Sequence, residues 1–408
     1  MDDSSQPGSR RITGVDLARG VALIGMVATH VYPAFTDTGS DDPAVSPAFT
    51  LAAGRSAAAF AVLAGVALVL STRRRAAAEA RLSVFLRALG VGVIGLALAY
   101  ADSGIAVILV YYALLFVLAL PLLRASVPVL VTVAVLATTA VPAVSQAVRD
   151  DLPASDLSSP RFDDLAEPGH LLAKLTVSGV YPALAWLGYL CVGMAVAHAD
   201  LRSRAVAVRL FAGGLLLAAV ASGTSWLLLG PVGGSGRLGD PAVVSGVGSL
   251  PQGWFIDSGL YGTTPTDTAW WLAVDTPHST TPFDLAHTTG TALALLGLAL
   301  LIARVPLTRP IAALGAMTLT FYALHVVVMS TDVLPTDPTR SYVLQILVAL
   351  AAATLWKATG RRGPAEAAVS VLPRAAHLLL HTQRPAVAAG RGTWPTGPRR
   401  TRQEGHHP

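Results

Sequence analysis

The chain has 408 residues, of which 53% are hydrophobic and only 13% charged, and its mean hydropathy is +0.58. Because an ordinary soluble domain carries about a quarter charged residues, this composition excludes a simple water-soluble protein. The net charge of +5 does not indicate a nucleic-acid partner, because the basic residues are spread between apolar segments rather than gathered on one domain. Cys191 is the only cysteine, which excludes an internal disulfide.

Apolar runs recur from the N-terminal region to near residue 358. The polar, acidic opening MDDSSQPGSR lacks the basic start of a secretory signal, so we expect the first run to be retained as a span. Runs of about 20 residues are long enough to cross a hydrocarbon core of roughly 30 Å as helices. We predict an all-α, polytopic transmembrane bundle of about ten spans, at residues 12–35, 50–71, 84–101, 104–123, 126–148, 171–198, 206–229, 284–304, 310–331 and 341–358.

The connections between these spans alternate in charge. One set carries basic residues: Arg10, Arg11, Arg73 to Arg75, Arg81, Arg124, Arg202, Arg204, Arg304, Arg309, Lys357, Arg361 and Arg362. The other set carries Asp37, Asp41, Asp42, Asp102, the acidic stretch 150–167, Asp332 and Asp337. By the positive-inside rule the basic set is cytoplasmic, which predicts that both termini lie inside. We find no inverted pair of broken hydrophobic segments of the kind that marks many transporters, which counts weakly against that class.

The first span carries three ionisable residues, which are rare in membrane helices and mark functional sites. In VDLARGVALIGMVATHVYP, Asp16 and Arg19 can pair at a spacing of three, and His30 lies about three turns beyond Arg19 on the same face. An anionic cosubstrate could meet Arg19 from inside while His30 acts on an acceptor from outside. The alternative is an ordinary ion pair near the inner interface with a packing histidine.

Arg55 opens the second span in AGRSAAAF, at about the depth of His30. A cation there needs a partner, which is either a bound carboxylate or oxyanion, or an aspartate of an outer loop.

Histidines also cluster near the predicted outer face in the C-terminal half. DTPHSTTPFDLAHTTG brings His278, Asp284 and His287 to the mouth of the eighth span, and the ninth span places Tyr322 and His325 on one face with Thr318. The spacings match no metal-ligand motif, so we expect no metal. Neutral imidazole serves as a base near pH 7, which favours a proton-handling or substrate-binding cluster.

The outer segment 230–283 is long enough to form a lid or substrate surface. Its tryptophans, Trp254, Trp270 and Trp271, are equally explained by an interfacial aromatic belt.

The arginine-x10-histidine spacing of the first span, followed by GRSAAAFAVLAGVALVLSTRRR, resembles the transmembrane acyltransferases. The first span is similar to that of the heparan-α-glucosaminide N-acetyltransferase catalytic-domain family, which reads DxxRGxALxxMxxxH. FDLAHTTGTALALLGLALL and PIAALGAMTLTFYALHVVV resemble the YeiB-type membrane proteins. These resemblances imply an N-terminal acyltransferase-like bundle at 12–230 and YeiB-type helices at 284–359. From charge and composition we expect a cytoplasmic segment at 1–11, an extracytoplasmic loop at 231–283, and a basic, disordered cytoplasmic tail at 360–408 with a short helix at 364–382.

The resemblance implies a membrane acyltransferase that moves an acetyl group from cytoplasmic acetyl-CoA to an extracytoplasmic hydroxyl or amine. In that interpretation Arg19, oriented by Asp16, contacts the donor, and His30 is the general base or a transient acyl acceptor. Arg55, Tyr322 or His325 stabilise the oxyanion, and His278, Asp284 and His287 bind the acceptor.

Acyl-CoA is expected as a cosubstrate with no permanently bound cofactor. The expected partners are membrane lipid and an envelope glycan, lipid or small-molecule acceptor, with no nucleic acid. The alternative function is a transporter or permease with an intramembrane Asp/Arg/His pathway.

Overall fold

The computed structural model of the protein describes residues 11–36, 44–153, 157–239 and 259–373. Over these residues the chain forms an α-helical bundle with one small hairpin, in which β1 (Phe35–Thr36) pairs antiparallel with β2 (Ala44–Val45). The α-helices are α1 (Thr13–Val31), α2 (Pro47–Ala52), α3 (Arg55–Thr72), α4 (Ala77–Leu98), α5 (Leu109–Leu118), α6 (Val127–Val148), α7 (Pro168–Ala173), α8 (Ala183–Val196), α9 (Arg204–Leu229), α10 (Pro282–Ile302), α11 (Arg309–Gly315), α12 (Thr318–Met329), α13 (Pro338–Ala358) and α14 (Pro364–Val369). Short 3-10 helices lie at Ala99–Ala101, Leu120–Leu122, Arg149–Asp151, Phe162–Ala166, Ser235–Arg237, Ala269–Ala273 and Pro306–Thr308, and a π-helical turn at Lys174–Ser178.

The predicted polytopic bundle is confirmed, with a somewhat lower span count. In the described part of the chain, seven segments are long and apolar enough to cross a membrane, and two bent helix pairs raise the number to nine. About ten spans were predicted, and the difference is α5. Its 10 residues reach about 15 Å, which is half of a hydrocarbon core.

The structure contains two bent helix pairs that the hydropathy pattern did not indicate. With the π-helical turn, α7 meets α8 at 54°, and α11 meets α12 at 72°. Hydropathy continues across both breaks, so a sequence window registers one helix in each case. Gly315 ends α11 where it crosses α1, and a Cβ at this position would lie 1.7 Å from the carbonyl oxygen of Asp16. The helix α11 ends at this crossing, and the chain then turns into α12.

Small residues bring the central helices to backbone contact. A Cβ on Gly193 of α8 would lie 1.8 Å from the carbonyl oxygen of Val62 on α3, and one on Gly65 of α3 would lie 2.1 Å from that of Leu190 on α8. Such close approach is typical of packed membrane helices. In contrast, only 22% of the apolar window of α9 and 11% of that of α13 is buried, so these helices present most of their surface to lipid.

The described part of the segment 230–283 packs onto the bundle. Trp271 is fully buried at 0% exposure, and its indole N–H donates to Oδ1 of Asp267 at 2.9 Å. Trp270 lies under the guanidinium of Arg237, at 4.8 Å from the ring centroid. The burial of Trp271 contradicts an aromatic-belt role for that residue.

Several predicted features lie wholly or partly outside the described residues. These are Trp254, the charges of Arg10, Asp37, Asp41 and Asp42, and the tail from 374 to 408. Of the predicted tail helix 364–382, the structure has α14.

Candidate active site

A cavity of about 970 Å³ opens at one end of the bundle and follows α1 inward. Its volume is at the upper end of the range for small-molecule sites, about 300 to 1,000 Å³. Its lining includes three carboxylates, Asp16, Asp200 and Glu366, against seven arginines, Arg11, Arg19, Arg73, Arg87, Arg202, Arg361 and Arg362. The exposed arginines at its mouth all come from connections predicted to be cytoplasmic. We call this space the basic cavity.

Arg19 lies inside the basic cavity, on the face of α1 that the sequence predicted. Its guanidinium donates to the carbonyl oxygen of Leu63 at 3.2 Å and lies 3.9 Å from Oδ1 of Asp16. Beyond Arg19 the lining becomes apolar and aromatic, with Phe60, Ile108 and Tyr112 among the residues around the inner end. The basic cavity thus has a cationic mouth and a largely apolar inner end.

A second, small cavity of about 20 Å³ lies beyond this inner end. It is lined by His30, Thr29, Gly54, Tyr181 and His278 among others. Three residues line both cavities: Met26, Ile108 and Tyr322. These three side chains form a shared wall, and His30 lies on the far side of it from Arg19.

His30 and His325 form a hydrogen-bonded pair. Nδ1 of His30 lies 3.1 Å from Nε2 of His325, and the rings stack with an interplanar angle of 8°. Nδ1 of His325 lies 2.8 Å from Oε1 of Gln345 on α13. Tyr322, one helical turn before His325, is buried, and its hydroxyl accepts from the backbone N–H of Ile108 at 3.3 Å. Three helices, α1, α12 and α13, therefore position one polar chain beside the shared wall.

His278 reaches the small cavity from a loop with an unusual backbone. His278 and Thr280 adopt positive φ angles of 59° and 56°, which are uncommon for residues other than glycine. Nε2 of His278 accepts from the backbone N–H of Gly54 at 3.2 Å, so the neutral ring carries its proton on Nδ1. Burial lowers the pKa of His278 to about 4, which keeps the ring neutral near pH 7. Its buried Nδ1 has no hydrogen-bond partner among the described residues.

Most of the residues that line these cavities lie in the N-terminal half of the chain, as does His30 of the histidine pair. The family model for the heparan-alpha-glucosaminide N-acetyltransferase catalytic domain matches residues 11–228, more than half of the chain. The chain belongs to this family. No curated protein matches the chain.

Membership in the N-acetyltransferase family, together with the apolar helices, makes the chain a multi-pass membrane protein of an acetyltransferase-like class. Acetyltransferases of this family in general use acyl-CoA as the acyl donor, together with an acceptor substrate. The match includes Asp16, Arg19 and His30 but ends before His278, Tyr322 and His325. The cavities of this family member are therefore completed by helices beyond the matched residues.

Arg55 does not line either cavity of this N-acetyltransferase family member. Its Nε donates to Nε2 of His287 at 3.0 Å, and its guanidinium also donates to the carbonyl oxygen of Thr50 at 2.7 Å. Nδ1 of His287 lies 2.7 Å from the hydroxyl of Ser222. The depth of Arg55 in the membrane stays a prediction, and depth does not reveal which way a side chain faces around its helix.

Asp284 supports the loop of His278 rather than lining the small cavity. Its carboxylate is buried and accepts from the backbone N–H of Thr280 at 3.0 Å, next to the positive φ angles. Of the three predicted acceptor-binding residues, only His278 lines the small cavity.

Sequence reasoning missed Gln345, Arg87 and Tyr181. Gln345 is a polar residue within the apolar, lipid-exposed helix α13, and Arg87 stands in a segment whose other arginines mark topology. Both are intramembrane polar residues, a signal that could have found them. Tyr181 follows the break before α8, and the sequence contains no pattern that predicts its place beside His278.

Proposed function

We propose that the protein is an acyltransferase of the plasma membrane that transfers an acetyl or other acyl group from cytoplasmic acyl-CoA to a hydroxyl or amine of an envelope glycan, lipid or metabolite at the opposite face. One observation carries this proposal: the basic cavity and the small cavity of His30 meet at the wall of Met26, Ile108 and Tyr322. A donor that enters from the basic mouth would bring its thioester to this wall, where an acceptor from the other side would reach it.

The arginines account for the donor side. Guanidinium groups bind phosphates through paired, charge-assisted hydrogen bonds, and the apolar inner end suits the uncharged arm and acyl group of the donor. Arg19, held by Asp16 and the carbonyl oxygen of Leu63, would guide the donor past the middle of α1.

The hydrogen bonds of the histidine pair make His30 the base. Because Oε1 of Gln345 can only accept, Nδ1 of His325 donates to it, and Nε2 of His325 then accepts from Nδ1 of His30. The lone pair of neutral His30 is left on Nε2. As the acceptor oxygen or nitrogen bonds to the thioester carbon, Nε2 takes its proton. The C–S bond then breaks, and the CoA thiolate takes up that proton from His30.

Tyr322 would stabilise the oxyanion of the tetrahedral intermediate. Its oxygen already accepts from the backbone N–H of Ile108, so its own proton is free to donate to the thioester oxygen. His278, with a buried Nδ1–H, would donate to the acceptor. The machinery thus combines residues of three segments, 12–230, 231–283 and 284–359.

The test is transfer of label from radiolabelled acetyl-CoA to detergent-solubilised envelope material by the purified protein. We expect transfer by the wild type and a loss of about a hundredfold or more in His30→Ala, since general acid–base catalysis typically contributes about 10²- to 10⁴-fold. His170→Ala, which alters a partly exposed histidine of α7, is the matched control and should retain full activity.

Unchanged transfer in His30→Ala would overturn the role of His30. If the wild type binds no acyl-CoA, the acyltransferase proposal fails and a transporter becomes the better account.

A further inference from the structure

The chain after α13 folds back beneath the bundle instead of leaving it. α13 ends at Ala358, and Gly360 adopts a φ of +71°, the left-handed conformation that commonly terminates helices. The indole N–H of Trp356 then donates to the carbonyl oxygen of Arg362 at 2.9 Å, which fixes the reversed chain against the helix it has just left. We call residues 360–370 the return segment.

Glu366 anchors the return segment to the start of α12. α12 begins after a break and has no capping side chain of its own at Met317. The Glu366 carboxylate supplies the cap: it accepts from the backbone N–H of Leu319 at 2.8 Å and of Thr320 at 3.3 Å, and from the Thr320 hydroxyl at 2.6 Å. A carboxylate at a helix N-terminus satisfies free N–H groups and complements the helix dipole.

A second contact ties the far end of the return segment to α4. Val369 is buried, and a Cβ on Gly90 of α4 would lie 3.4 Å from its side chain. Gly363 sits so close to Glu366 that a Cβ there would meet its carboxylate at 2.2 Å. The return segment is thus a packed part of the bundle between α12 and α4.

This packing brings Arg361 and Arg362 to the mouth of the basic cavity, where Arg11, Arg73 and Arg202 also lie. The return segment lies outside residues 11–228, the part of the chain that the family model matches. From its position we infer that the return segment is a phosphate-binding element of the donor site, in which Arg361 and Arg362 hold the phosphates of the CoA nucleotide. The inference rests on the proposed function, since it presumes an acyl-CoA donor.

The geometry of the cavity supports a ligand with its charge at one end. Met26 lies 14 residues beyond Ile12 on α1, so the cavity extends about 21 Å from mouth to shared wall. Five of the seven lining arginines are exposed and lie at the mouth. CoA has this distribution, with its phosphates on the nucleotide and an uncharged arm that carries the thioester.

The experiment measures binding of CoA and of pantetheine, which lacks the nucleotide and its phosphates, to the purified full-length protein by titration calorimetry. We expect the double variant Arg361→Gln/Arg362→Gln to bind CoA about tenfold or more weakly, as the loss of charge-assisted hydrogen bonds predicts, and to bind pantetheine as the wild type does. The matched control is Arg304→Gln/Arg309→Gln, which removes the same charge from exposed positions that do not line the cavity.

Equal CoA affinity in the double variant and the control would overturn the inference while leaving the proposed function intact. An equal loss for pantetheine would also overturn it, because the arginines would then act through the fold alone. If the wild type retains phosphatidylglycerol and the double variant does not, while both bind CoA equally, the arginines bind a lipid headgroup and the inference is overturned. Absence of CoA binding by the wild type would instead refute the proposed function.

Discussion

Gln345 determines the direction of the hydrogen bond between His30 and His325. Its amide oxygen meets His325, while its amide nitrogen donates to the hydroxyl of Ser341 at 3.2 Å, so the amide orientation is consistent with both partners. A neutral histidine carries one ring proton on either nitrogen, and its neighbours decide which. Gln345 sets the tautomer of His325, and His325 sets that of His30, in the manner by which an outer residue orients a catalytic imidazole.

The tautomer argument predicts the effect of Gln345→Leu. This change removes the acceptor for His325, so both tautomers become populated, and we expect a fall in kcat of about tenfold with KM for acetyl-CoA unchanged. Gln345→Glu keeps an acceptor at the same position and should retain more activity. Steady-state kinetics of both variants checks this. Equal activities of the Leu and Glu variants would show that Gln345 does not act through the tautomer.

At this scale the sequence indicated that His30 and His325 lie near each other, but it did not reveal the partner of Arg55 or the contact of Gln345. His30 and His325 could be placed at one depth because helical rise converts residue number into height. The partner of Arg55 could not be predicted, because the rotation of α3 about its own axis relative to α10 depends on contacts between helices that are far apart in the sequence. Gln345 was missed because the hydropathy of α13 identifies a span without indicating which of its polar side chains contacts the bundle.

At the scale of elements, close helix crossings position the site. α11 stops against α1 at Gly315, and the turn that follows aims α12 so that Tyr322 and His325 face α1. Sequence hydropathy predicted one span here, since apolar residues continue through the break. The bend of 72° between α11 and α12 lies at the close crossing with α1, a contact between distant parts of the chain that hydropathy does not reveal.

The crossing at Gly315 predicts a large effect of a single methyl group. A Cβ in Gly315→Ala would lie 1.7 Å from the carbonyl oxygen of Asp16, so α1 and α11 must separate, at a cost of about 1 to 3 kcal/mol in the free energy of unfolding. Acetyl-CoA binding should also weaken, because Asp16 and Arg19 move with α1. The control is Gly213→Ala on α9, where a Cβ meets nothing within 4 Å and no loss is expected.

Thermal unfolding in detergent compares the two glycine variants. A midpoint for Gly315→Ala as high as that of Gly213→Ala would contradict the close crossing.

At the scale of the whole molecule, the alternation of charge along the sequence corresponds to two ends with different chemistry. The connections that carry arginine supply the mouth of the basic cavity, whereas the loops of Gly54 and His278 supply the small cavity. Their grouping at opposite ends supports the alternating order of spans that the sequence predicted. Which end faces the cytoplasm stays a prediction of the positive-inside rule.

The most direct test of the account supplies membrane-impermeant radiolabelled acetyl-CoA to one face of sealed membrane vesicles at a time. With the basic cavity on the cytoplasmic side, inside-out vesicles should transfer label to their envelope material and right-side-out vesicles should not. His30→Ala should abolish the transfer by inside-out vesicles. Transfer of His30-dependent label by right-side-out vesicles alone, or equally by both, would contradict a cytoplasmic donor entering through the basic cavity.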